Sequence, residues 1–135
     1  MSEIKVGLLV TDFECDPSEV TRIINLEPTF TWRTGDLISK TGKGTAKHKE
    51  NGWEWCLPPL EGAEGVDFSV LFDRFVAEIA PIQERFKLLP SNHYVQLSCC
   101  AYIKEQAPAF VLDSSILQLL ASINATVDFD IYCLD

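Results

Sequence analysis

The sequence predicts an α+β fold: a mixed, mainly antiparallel β-sheet with helices packed on one face, partly ferredoxin-like. Three observations carry that reading. Several runs alternate between apolar and semi-polar residues, as strands with one buried side do. Other segments repeat apolar residues at helical spacing behind a capping residue. The elements follow the order β-α-(loop)-β-α-β-β-α-β, whose second half, β-β-α-β, resembles part of a ferredoxin-like unit.

In chain order, IKVGLLVT (residues 4–11) places Ile4, Val6, Leu8 and Val10 on one face of a strand. Asp16 is a good N-cap, Pro17 suits the first helical position, and Glu19 stands where a capping box wants its acid. Val20, Ile23 and Ile24 then share a helical stripe running to about Leu26, with Pro28 as its stop. Residues 27–36 read as extended chain closing in a turn at Gly35-Asp36. Residues 39–52 show no periodicity and end in the turn pair Asn51-Gly52. Trp53 to Leu57 alternates as a strand that Pro58-Pro59 closes.

A helix starts near Asp67, with Phe68, Leu71, Phe72, Phe75, Val76 and Ile79 in one stripe. Pro81 breaks or restarts it, and Ile82, Arg85, Phe86 and Leu89 fit a further short helix. HYVQLSCCAYI (93–103) is the clearest strand, with Val95, Leu97, Cys99, Ala101 and Ile103 on its apolar face. Ala109–Leu112 reads as a short return strand in a hairpin. Asp113 or Ser114 caps a helix carrying Ile116, Leu117, Leu119, Leu120 and Ile123, which Asn124 stops. The last strand, 126–133, turns Val127, Phe129, Ile131 and Cys133 inward.

The 135 residues read as a single domain, 1–135, with a flexible basic loop at about 37–52. Hydrophobic residues make up 47% and charged residues 23%, which suits a folded domain and argues against disorder. The N-terminal apolar run is too short for a signal peptide, and no stretch reaches the roughly 18 apolar residues of a membrane span. The expectation is a cytoplasmic protein with no membrane contact. A net charge of −9 opposes phosphate, so nucleic acid is not an expected partner. The five cysteines show no zinc spacing, and neither His48 nor His93 stands near one at ligand spacing. They read as reduced and mainly buried thiols, with no metal and no cofactor expected.

Residues 33–49 hold five basic residues and one acidic, against six and nineteen elsewhere. The GKGT within them lacks the spacing and the following helix of a phosphate loop. No histidine is coupled to a serine or cysteine as a nucleophile's base would be, so no catalytic residue is assigned. Asp128 and Asp130 share one strand face and could meet a cation or work as acids, but such pairs are commonly solvated surface carboxylates. Trp32, Trp53 and Trp55 suit packing better than a ligand cage.

The run Leu26-Glu27-Pro28-Thr29-Phe30-Thr31-Trp32-Arg33-Thr34-Gly35-Asp36, behind a strand and a short helix, resembles the signature of the bacterial family called domain of unknown function 4279. Trp53 after a variable loop, Pro81 between helical segments and the ending Asp128-Phe129-Asp130-Ile131-Tyr132 fit the same family across nearly the whole chain. The resemblance implies a small cytosolic α+β protein and brings no activity and no catalytic residues.

Thr29, Trp32, Arg33, Gly35, Asp36, Trp53, Asp128 and Asp130 are therefore the candidate binding or structural positions. Gly35 can supply a positive φ. Arg33 can clamp a carboxylate, with Asp128, Asp130 and Asp36 as the acids considered. Trp32 can cover a core edge with its N–H satisfied at the rim. The small size, acidity and lack of a catalytic constellation point to a non-enzymatic protein-binding module, in a specific version an immunity-like protein that neutralises a basic toxin. The rival is an enzyme or small-ligand binder using a polar sheet face of Gln96, Ser98, Tyr102, Asp128 and Asp130 with Arg33 reaching over. A homodimer through that face or an edge strand is a third reading.

Overall fold

The computed structural model describes residues 2–38, 44–62, 67–104 and 107–134. The elements are β1 (Ser2–Thr11), α1 (Pro17–Ile24), β2 (Phe30–Trp32), β3 (Gly52–Cys56), β4 (Leu60–Gly62), α2 (Phe68–Ile79), a 3-10 helix (Ala80–Leu88), β5 (Tyr94–Ile103), α3 (Ser114–Ser122) and β6 (Ala125–Cys133). They form one six-stranded sheet in the order β2-β3-β1-β5-β6, with β4 also on β1. Of the strand pairings among the described residues, that of β5 with β6 is parallel and the rest are antiparallel.

β1 sits at the centre and is the most thoroughly buried strand. Its inward residues Ile4, Val6, Leu8 and Val10 are all at most 1% exposed. β5 runs antiparallel along one edge from Tyr94 to Tyr102. β3 takes the other edge opposite Gly7–Thr11, and β4 continues that edge opposite Ser2–Ile4. Pro58 and Pro59 divide β3 from β4, since neither has an N–H for the ladder. The alternation of 53–57 identifies β3, but the three residues of β4 are too few to show a period.

The helices all lie on one side. Phe68, Leu71, Phe72, Phe75 and Ile79 of α2 bury against the inward faces of the strands, joined by Val20 and Ile24 of α1, Phe86 of the 3-10 helix, and Ile116, Leu119 and Leu120 of α3. Each α-helix begins at the expected aspartate: Asp16 accepts from Ser18 N, Asp67 from Ser69 N and Asp113 from Ile116 N. Truncating a wholly buried aromatic such as Phe75 to Ala costs about 3–5 kcal/mol. Among the described residues no helix is long and apolar enough to cross a membrane.

Several expectations need correction. α1 ends at Ile24, because Asn25 adopts a left-handed conformation (φ 62°) and closes it before Pro28 is reached. The Glu19 carboxylate bonds Arg22 rather than completing a capping box. Asn51-Gly52 is no turn: Gly52 opens β3. Residues 109–112 form no hairpin strand. Ala109 makes only an isolated bridge to Asp67, Phe110 packs on Phe68, Phe72 and Phe129, and β6 takes the place beside β5. The second half is therefore β-α-β rather than β-β-α-β. The inward side of β6 is covered only to Phe129; Ile131 and Cys133 are exposed because the helical layer stops short of them.

Of the basic loop, residues 39–43 lie outside the described residues. Its flanks pair with each other: Gly35 N donates to His48 O, His48 N to Asp36 O, and Ile38 N to Ala46 O.

Candidate functional site

The candidate positions divide into two groups at opposite sides of the sheet. Thr29, Trp32, Arg33, Gly35, Asp36 and Trp53 gather around β2 and β3. Asp128 and Asp130 lie on β6, with β1 and β5 between.

The first group is a knot of backbone and side-chain bonds. Thr29 N donates to Glu54 O, and Thr29 Oγ1 accepts from Cys56 N at 2.8 Å, which ties the entry of β2 to β3. Asp36 Oδ2 accepts from Arg33 N at 2.8 Å while Asp36 N donates to Arg33 O, closing the turn through Gly35 at φ 95°. A left-handed residue without a Cβ is needed there, as the motif suggests. Trp53 is wholly buried, and its indole N–H donates to Thr21 Oγ1 at 3.0 Å, locking β3 to α1.

Arg33 does not meet the acids considered for its side chain. Its guanidinium clamps Asp16, Nε to Oδ2 at 2.8 Å and an Nη to Oδ1 at 3.1 Å. Asp16 already caps α1, so one carboxylate holds both a helix start and the end of β2. The Arg33 bond, then the Ser18 N–H, hold the Asp16 carboxyl down at about 2. Both side chains are well exposed, at 60% and 43%, so the pair orients more than it stabilises.

Asn51 completes the knot and was not singled out by the sequence. Its Oδ1 accepts from Thr34 N (2.8 Å) and Thr34 Oγ1 (3.2 Å), and its Nδ2 donates to Cys15 O (3.0 Å) and Glu14 O (3.4 Å). Trp32 lies flat on Gly52, its direct cross-strand partner, and stacks on His48 at 4.8 Å. A Cβ on Gly52 would stand 1.9 Å from the indole ring. The Trp32 N–H, expected to be satisfied at the rim, is buried and finds no acceptor among the described residues, since the ring is pressed against a residue with no side chain. A groove of about 610 Å³ runs beside this ring, between Phe30, Asp36, Leu37, Ile38 and Glu54.

The second group belongs to the sheet face that no helix covers. Antiparallel and parallel registers bring Glu54, Leu9, Gln96 and Thr126 into one row, Cys56, Gly7, Ser98 and Asp128 into the next, and Lys5, Cys100 and Asp130 into a third. Glu3, Tyr102 and Tyr132 follow, with the two tyrosine rings stacked at 5.2 Å and Lys5 Nζ lying over Tyr102. Gln96, Ser98, Tyr102, Asp128 and Asp130 thus do share a face. Arg33 does not reach over them. Gly7, at the centre, leaves a depression of about 320 Å³ between Lys5, Cys56, Ser98, Cys100 and Phe30.

The chemistry of that depression is muted. Burial, then the Glu54 carboxylate, push the Cys56 thiol up to about 12, so it stays protonated at neutral pH. Ser98 Oγ accepts from the Gln96 amide. All five cysteines are free; Cys99 is buried and its thiol is likewise raised to about 12 by burial, whereas Cys133, expected inside, is exposed. Among the described residues no three His, Cys, Asp or Glu side chains converge as a metal site would need.

A family model described as domain of unknown function (DUF4279) matches residues 2–134. No curated protein and no solved structure matches the chain.

Proposed function

The chain belongs to the DUF4279 family, and from that premise we propose that it is a binding module that docks a protein partner on the uncovered face of its sheet. One observation carries the reading: the helices cover one face of a six-stranded sheet, and the other presents aromatic and acidic side chains with no layer over them among the described residues. Tyr132 is exposed there next to Asp130, and Tyr94 is exposed at the far end of the same face beside Thr126. Tyrosines on a rigid sheet give contact area at low entropic cost, and a basic partner complements the acids and the net charge of −9. The specific version is an immunity-like protein of bacterial cytoplasm that covers the basic site of a toxin.

The test is capture from the source cell with three immobilised proteins: wild type, the double variant Asp128→Lys with Asp130→Lys, and Glu78→Lys on the helical side. The reading expects one basic polypeptide retained by wild type and Glu78→Lys and lost from the double variant. Identical capture by all three, or none by any, would sink it.

The second reading is a small-ligand binder using the depression above Gly7, whose volume of about 320 Å³ is at the lower end for small-molecule sites. Gly7→Val, which fills it, would abolish ligand binding under this reading and leave protein capture in place under the first.

A further inference from the structure

β6 is a sheet edge, and among the described residues no strand pairs with its outer side. Leu134 N donates to Ile103 O across the parallel pair, so by alternation the even residues of β6 address β5. The N–H and C=O groups of Ala125, Val127, Phe129, Ile131 and Cys133 therefore point away from the sheet. Long edges are usually blunted by Pro, Lys, a bulge or a covering segment. β6 has nine residues, ATVDFDIYC, with no Pro, Gly, Lys or Arg, and every one of them is in register with β5. Apolar side chains flank this edge where the helical layer ends. Phe110, whose ring abuts Phe129, is 44% exposed, Val111 65% and Ile131 58%, while Leu134, 40% exposed, lies on the open face beside Tyr102.

We infer that β6 pairs with β6 of a second copy of this chain, antiparallel, about a two-fold axis at Ile131. Charge and burial select the occupant and the register together. An axis at Phe129 sets Asp128 opposite Asp130 of the copy, and an axis at Asp128 or Asp130 sets that acid against itself; like charges directly opposite destabilise a ladder. An axis at Val127 separates the acids but leaves Ile131, Tyr132 and Leu134 uncovered. An axis beyond Ile131 shortens the ladder. At Ile131 every acid finds a non-acidic partner: Asp130 faces Tyr132, whose hydroxyl can donate to it, and Asp128 faces Leu134. Ile131 meets its own copy, and Phe129 lies beside Cys133, on the side where Phe110 is exposed. The strand is thus complementary to itself in one register, as a two-fold interface requires. The inference does not rest on the partner reading: the ladder is made by the backbone of the edge, although Asp128, Asp130 and Tyr132 also lie on the open face.

Sedimentation of wild type from about 1 μM to about 1 mM tests it. The expected result is a monomer–dimer equilibrium that tightens as salt rises from about 0.05 to 0.5 M, because each copy carries −9. Ile131→Lys, at an exposed position, weakens the dimer by about tenfold or more, and Tyr132→Asp, which sets an acid opposite Asp130, does the same should the first variant fold poorly. Register is read by oxidation with oxidised glutathione in a Cys100→Ser, Cys133→Ser background, since Cys100 stands beside position 130. Asp130→Cys mixed with Tyr132→Cys gives a crosslinked pair mapped to 130–132, and each alone gives none. A monomer at every concentration, a dimer indifferent to both substitutions, a 130–130 crosslink, or a different polypeptide held on β6 of a monomer each overturns the inference.

Discussion

Asp16 and Arg33 are seventeen residues apart and meet through two hydrogen bonds, at 2.8 and 3.1 Å. The same carboxylate caps α1 through Ser18 N, so the first helix and the motif turn share one anchor.

That sharing has a pH signature. Asp16 is held at about 2, below its ordinary 3.8, so its contribution is fully present above pH about 4 and is lost as pH falls through 2. Melting temperatures of wild type and Asp16→Asn should differ at pH 6 and converge near pH 2. Parallel curves across that window would show that the carboxylate charge is irrelevant to stability.

Asn51 should matter more than Arg33. Asn51→Ala removes four bonds linking the turn to the β1–α1 connection and is expected to cost about 1–3 kcal/mol. Arg33→Ala breaks a well-exposed pair and should shift the urea midpoint less. If Arg33→Ala proves the costlier change, the knot has been assigned to the wrong residue.

Gly52→Ala should displace Trp32. The new Cβ would overlap the indole, and the loss is expected at about 1–3 kcal/mol with a change in tryptophan fluorescence. Trp32→Ala should relieve most of that penalty in the double variant. Additive losses would mean that the glycine answers to something other than the ring.

Thr21→Val leaves the buried Trp53 N–H without its acceptor and should cost about 1–3 kcal/mol, measured by denaturant unfolding. A neutral substitution would show that the bond adds nothing beyond packing.

Thiol reactivity should rank by burial. Cys133 is expected to react with an aromatic disulfide reagent in the native protein, and Cys56 and Cys99, both raised to about 12, only on unfolding.

The sequence showed β1, β5 and the three helices because each carries its period over eight or more residues and each helix has its aspartate cap. It did not show β4, whose three residues are too few, and it made a strand of 109–112, where Phe110 instead serves the aromatic cluster. The motif residues could be located as a unit, since Gly35 and Asp36 act within four residues of Arg33. Their long-range partners could not: nothing in the spacing of Asp16 and Arg33, or of Asn51 and Thr34, announces a contact that the sheet order creates. Asn-Gly was misread as a turn for the same reason. What makes Gly52 necessary is the ring of Trp32 across the ladder, and a tryptophan opposite a strand glycine is the signal that could have revealed it.

β1 precedes its neighbours in the chain yet lies between β3 and β4 on one side and β5 on the other, so it is among the last strands of the sheet to be completed. Its second edge stays vacant until Tyr94–Ile103 has been synthesised, about ninety residues later in the chain. During that interval the most buried strand of the sheet has one edge open. Formation of the sheet therefore waits on contacts distant in sequence, which favours slow folding and exposes a nascent edge to chance pairing.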